Sequence, residues 1–86
     1  MTTPLISTPN IGPKLRDALA QVEVHDLETL LDRGVVVVWG QLRAAGLFDC
    51  VHSLLALEGA VRGVRWTDLD PEVRAGLRAH VQVVRQ

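Results

Sequence analysis

Few side chains in this 86-residue chain have a type and spacing that invite chemistry, and each of them also has a plain structural reading. Glu58 comes first. In the run 48–62, FDCVHSLLALEGAVR, a helical advance of ~100° per residue sets Glu58 inside an apolar arc, between Leu54 and Val51. A carboxylate on such a face can titrate away from its ordinary range and serve as an acid or base. The structural alternative has more in its favour, because Arg62 lies one helical turn away and the Trp66 N–H follows closely. Glu58, Arg62 and Trp66 are therefore assigned to structure. Cys50 and His52 stand two apart on the same predicted helix, hence on nearly opposite sides, where they cannot work as nucleophile and base. His25, His52 and His80 show no metal-ligand spacing, and Gly12 alone does not make a nucleotide loop. Cys50 reads as a core thiol, His25 as a loop residue and His80 as an edge residue of the last helix. No catalytic constellation, metal site or cofactor is expected.

Anion binding is the other chemistry on offer. In PNIGPK, residues 9–14, Gly12 supplies a tight turn and Pro13 is pre-set for the first position of a helix. Open N–H groups at that helix start, with Asn10, Gly12, Lys14 and Arg16 around them, suit a phosphate oxygen. The bland counterpart is a turn that merely starts a helix. Arg74 and Arg78, with Arg85 on the same flank and Arg62 and Arg65 nearby, offer a second strip for salt-sensitive, sequence-independent phosphate contact, or else a solvated helix face.

The elements that must position these groups follow from the apolar pattern. The 48–62 run fills about half its circumference with Phe48, Cys50, Val51, Leu54, Leu55, Leu57 and Val61, as only a central helix requires. Its other side carries His52, Ser53, Ala56, Gly59 and Ala60, small enough to let another backbone approach. Before it, a short helix starts at Pro13 with Leu15, Ala18, Leu19 and Val22 on one face. Asp26 is placed to cap a second helix carrying Leu27, Leu30 and Leu31, which Gly34 ends. Four valines, 35–38, favour a strand locally, but the chain has no second strand to pair with. Val35, Val38, Trp39, Leu42 and Ala45 share one side at helical spacing, so the segment is expected to be a helix ending near Gly46. Val36 and Val37 are then left outward, either as scattered surface valines or as a partner contact. Asp70 and Pro71 open a last helix that faces Val73, Leu77, Val81 and Val84 to the core.

Five helices with short connections predict an all-α orthogonal bundle, with residues 1–8 as a flexible arm and 9–86 as one domain. Leu5 and Ile6 in the arm are able to fold back onto the core. Composition agrees, at 48% apolar and 22% charged residues, and no apolar run approaches the ~18 residues of a membrane span. The N-terminal segment MTTPLISTPN has neither the basic region nor the apolar core of a signal peptide, and a lone buried Cys50 fits a reducing compartment, so a cytoplasmic location is expected. A net charge of −1 limits any nucleic-acid contact to a local patch.

The order PNIGPKL, VEVHDLETLLDRG, QLRAAG and LLALEGAVRGVRWTDL resembles the C-terminal domain of the TfoX/Sxy family of bacterial competence regulators, over roughly residues 5–81. The combination of PNIGPK with LEGA and the following tryptophan carries the resemblance. It implies two orthogonally packed helical hairpins, related to SAM-like and helix-hairpin-helix modules, and a role in DNA transformation; founding members act alongside the cyclic AMP receptor protein. Full-length members carry a separate N-terminal domain. Glu23 stands where the family usually turns on glycine, and Asn10 where DNA-binding hairpins usually carry glycine. The expected function is a non-enzymatic regulatory module that contacts double-stranded DNA through the hairpin. The alternative is a protein-interaction domain that uses Val36 and Val37 to dock a transcription regulator, a protein supplying the N-terminal domain, or a second copy as a weak homodimer.

Overall fold

The computed structural model describes residues 3–5 and 8–85, except for the side chain of Arg85. Five helices follow one another: α1 (Pro13–Gln21), α2 (Leu27–Arg33), α3 (Val35–Ala44), α4 (Val51–Arg62) and α5 (Pro71–Arg85), with a 3₁₀ turn at Trp66–Asp68 before the last. The described residues contain no strand, only an isolated bridge between Pro4 and Asp26. The all-α expectation holds.

Local signals explain most boundaries. Pro13 opens α1 behind Gly12, and Leu15, Ala18 and Leu19 go into the core. Asp26 caps α2 by accepting from the Thr29 N–H at 2.8 Å and the Thr29 hydroxyl at 2.7 Å. Gly34, at φ 97° and ψ 139°, has the positive φ expected but leads straight into α3 instead of a left-handed turn. The valine run is helical, as expected, because a strand would have no partner and would forfeit the burial of Val38, Trp39 and Leu42.

α4 is the centre of the molecule. It packs against α2, α3, α5 and the 3₁₀ turn, and Ser53, Leu54, Leu55, Ala56, Leu57, Gly59 and Ala60 are all buried. Trp39 is the largest side chain sealed in the core, at 1% exposure. Its indole N–H reaches the Ser53 hydroxyl at 3.0 Å and the Cys50 carbonyl at 3.2 Å, fixing α3 against the start of α4. His80 of α5 meets the same ring edge-on at 6.0 Å, which places it at the helix edge as expected.

The structure corrects several expectations. Leu31 is 53% exposed, since it stands ~100° around α2 from Leu30, which takes the buried position while Leu27 packs against the core. Ala45 is exposed as the C-cap of α3. The central helix begins at Val51, so Cys50 precedes it as N-cap and is exposed; it is not a core thiol, and the buried-thiol argument for a reducing compartment falls. The arm is tied down where it is described: Leu5 is buried, the Leu27 N–H donates to the Thr3 carbonyl at 3.0 Å, and Thr3 donates through its backbone N–H and hydroxyl to Glu28 at 2.6 and 2.8 Å. Ile6 lies outside the described residues.

Glu23 adopts the conformation that suits glycine, with φ 64°, where the chain leaves α1. A β-carbon in this region costs about 1 kcal/mol or more, and glycine returns part of that gain as unfolded-state entropy. Glu23→Gly is expected to stabilise the domain by about 0.5 kcal/mol in urea unfolding; destabilisation would show that the Glu23 side chain contributes more than its backbone strain removes.

Candidate functional site

The hairpin that could grip an anion is built differently from a free phosphate loop. Asn10 sits at φ 72°, a left-handed conformation that asparagine tolerates. Its side-chain nitrogen donates to the Val64 carbonyl at 2.9 Å and the Ala56 carbonyl at 3.4 Å, and its oxygen accepts from the Trp66 N–H of the backbone at 3.1 Å. Gly59 makes this approach possible. A β-carbon there would stand 2.5 Å from the Asn10 nitrogen and 2.8 Å from the Val64 carbonyl. The three motifs PNIGPK, LEGA and the tryptophan thus meet in one clasp that locks the hairpin to the end of α4.

This geometry sorts the candidate phosphate contacts. Asn10 spends its amide inside the fold. Gly12 and Lys14 are exposed at the first turn of α1, where no side chain caps the helix. Arg16 is half-buried, 3.4 Å from Asp17. On α5, Arg78 is exposed, whereas Arg74 is half-buried with its Nε sealed from solvent and without a hydrogen-bond partner. Arg65 is exposed, and the Arg85 side chain lies outside the described residues.

Glu58 is paired. Its carboxylate accepts from Arg62 Nε at 2.6 Å, one turn along α4, and its side chain keeps 18% exposure. It lines a groove of about 330 Å³ whose other walls include Leu31, Val35, Val36, Val37 and Val61, with no histidine among the lining residues. Val36 and Val37 are 42% and 53% exposed, as the α3 periodicity predicts, and Leu31 joins them. Trp66 is half-buried and meets the His52 ring edge-on at 4.6 Å.

A second groove, of about 590 Å³, separates the starts of α1 and α4, and both Cys50 and His52 line it. The expectation that these two face opposite sides fails because Cys50 is not on the helix. His25 is an exposed loop residue, as expected, 3.4 Å from Glu23.

One structural residue escaped the sequence reading. Arg33 Nη1 donates to the Val22 carbonyl at 2.7 Å and to Gln41 Oε1 at 2.9 Å, and Nη2 donates to the Glu23 carbonyl at 3.2 Å. It closes the end of α1 from α2 and ties both to α3. The only signal was a basic residue in a last helical turn, which suggests a cap for its own helix and not for another.

Two carboxylates acquire acid sensitivity from these ties. The hydroxyl and backbone N–H of Thr29 lower the pKa of Asp26, and the backbone N–H and hydroxyl of Thr3 lower that of Glu28. Both groups are more acidic folded than unfolded, so their stabilisation is complete above the ordinary values of 3.8 and 4.5 and is lost as pH falls through the lower folded values. Melting temperature is expected to drop below about pH 4.5, and less steeply in Asp26→Asn/Glu28→Gln. An equal slope in the double variant would rule these two groups out.

These features define a small all-helical domain whose N-terminal hairpin is clasped to a buried central helix. No helix of the described residues is long and apolar enough to cross a membrane. The chain belongs to the TfoX C-terminal domain family, whose model matches residues 1–81, and with it to a family linked to competence regulation. It is similar to the crystal structure of an uncharacterized protein from Listeria monocytogenes in a triclinic form, with 31% identity and a TM-score of 0.90 over 94% of this chain and 92% of that one. A tetragonal crystal form of a protein of unknown function from Listeria monocytogenes is 32% identical, with a TM-score of 0.84 over 88% of this chain and 93% of that one. No curated protein matches the sequence.

Proposed function

We propose that this domain is a non-enzymatic, cytoplasmic adaptor in competence regulation, and that it works by docking an amphipathic helix of a transcription regulator onto the corner between α2 and α3. The observation that carries this reading is the grouping of exposed apolar side chains. Of the four large hydrophobics most exposed among the described residues, Leu31, Val36 and Val37 line one groove, and only Val83 stands elsewhere. Scattered surface valines need no partner, but a contiguous apolar surface with a recess in it is what helix-in-groove recognition uses. The absence of a basic excess, at net charge −1, is consistent with a protein partner.

A photo-cross-linking amino acid in place of Val37 tests this in the bacterium that makes the protein. The expected product is a discrete adduct with a transcription regulator, lost in Leu31→Ser/Val36→Ser, whose exposed positions should change stability by no more than about 0.5 kcal/mol each. Cross-linking to a second copy alone, or an adduct unaffected by the double variant, would overturn it.

A second reading is favoured by one observation: Lys14 is exposed beside the open first turn of α1. Duplex phosphates would then bind Lys14 and the first-turn N–H groups, with Asn10 acting only through the shape of the hairpin. Lys14→Glu would weaken such binding without unfolding the domain.

A further inference from the structure

We infer that the groove between the starts of α1 and α4 is a binding site for a small organic acid with a bulky apolar body, an aryl or medium-chain alkyl carboxylate. Its volume, about 590 Å³, is in the range of sites that hold such molecules. Pro13, Leu15, Phe48 and Ala56 give it an apolar lining.

The polar groups in the groove separate into those already used and those left for a ligand. Asn10 is spent on Val64, Ala56 and Trp66, and the Ser53 hydroxyl is spent on Trp39 and the Cys50 carbonyl. Lys14 and His52 remain, both exposed at the groove, whereas the Cys50 thiol already donates to the Ser53 hydroxyl at 3.5 Å. The lysine supplies a cation, and the imidazole supplies at least one ring N–H whatever its protonation state. Trp66, edge-on at 4.6 Å, holds the His52 ring. No lining residue is a carboxylate. An occupant that buries an apolar body and turns an anionic head toward Lys14 and His52 satisfies every group left over; a cationic or neutral one leaves the lysine unanswered.

The single cysteine of the chain provides the readout, because it lies in this groove and is exposed. The rate of Cys50 alkylation by iodoacetamide is measured on the whole protein with increasing naphthylacetate, naphthylacetamide, naphthylmethylamine or acetate. Naphthylacetate is expected to protect the thiol, half-maximally at about 1 mM or below, and to raise the melting temperature. The amide, the amine and acetate should each protect about tenfold more weakly, and Lys14→Ala should weaken naphthylacetate to the same degree. Equal protection by acid and amide, or protection unchanged in Lys14→Ala, would overturn the assignment of an acid. No protection by any of the four at about 10 mM would overturn the site itself.

Discussion

Gly59→Ala is expected to destabilise the domain by about 3 kcal/mol, a large part of what a domain of this size possesses. In an ordinary helix interior the same change would stabilise by up to about 1 kcal/mol. Here the new carbon would stand 2.8 Å from the backbone carbonyl of Val64 and 2.5 Å from the Asn10 nitrogen. The amide could swing away only by giving up its bonds to Val64 and Ala56, and the carbonyl could move only with the loop that carries Trp66. Overpacking and lost hydrogen bonds therefore add. Gly40 and Gly76 are internal controls, because a β-carbon at either meets nothing within 4 Å. Alanine at those positions should raise the urea midpoint while alanine at 59 lowers it. Asn10→Gly keeps the left-handed turn and removes the nearer obstacle, so Gly59→Ala should cost less in that background. Strict additivity of the two changes would contradict the clasp.

Trp39→Ala is expected to cost about 4 kcal/mol, since it empties the largest sealed site in the core and leaves Ser53 without its indole partner. Trp39→Phe separates the two contributions. It keeps most of the ring and loses the bonds to Ser53 and the Cys50 carbonyl, a change of about 1–2 kcal/mol. Both are read from denaturant midpoints at constant slope. If Phe cost as much as Ala, the hydrogen bonds to the start of α4, and not the packed volume, would be what holds α3 in place.

The helices were legible in the sequence because their signals are local: Pro13 and Asp26 at helix starts, and the spacing of Val35, Val38, Trp39 and Leu42. The breadth of the α4 face correctly marked it as central, and the small residues opposite correctly announced a close backbone. Which backbone would approach was not legible. Asn10 and Trp66 are 56 residues apart, and no pattern of single-residue types states that an asparagine in a turn will face a glycine in a distant helix. The combination of motifs pointed to a family without saying why they occur together; the clasp is the physical reason. Cys50 was misplaced for a different reason. Helical periodicity does not mark where a helix begins, and cysteine is not a residue whose side chain announces an N-cap. Arg33 was invisible because its acceptors are carbonyls at the end of another helix.

The candidate site followed the same division. Outward Val36 and Val37 follow from the period of α3, but that Leu31 joins them depends on which side α2 turns to the core, burying Leu30 and leaving its neighbour outside. Glu58 pairs with the arginine one turn along, as its spacing allows.

In the proposed function the PNIGPK hairpin serves the architecture while the domain acts through a protein partner. Fluorescence anisotropy of a labelled mixed-sequence duplex, titrated with the protein at low and at physiological salt, tests it most directly. The expected result is no saturable binding at physiological salt and titrations that Lys14→Glu leaves unchanged. Steep salt-dependent binding that Lys14→Glu abolishes would contradict it and put the hairpin on phosphates.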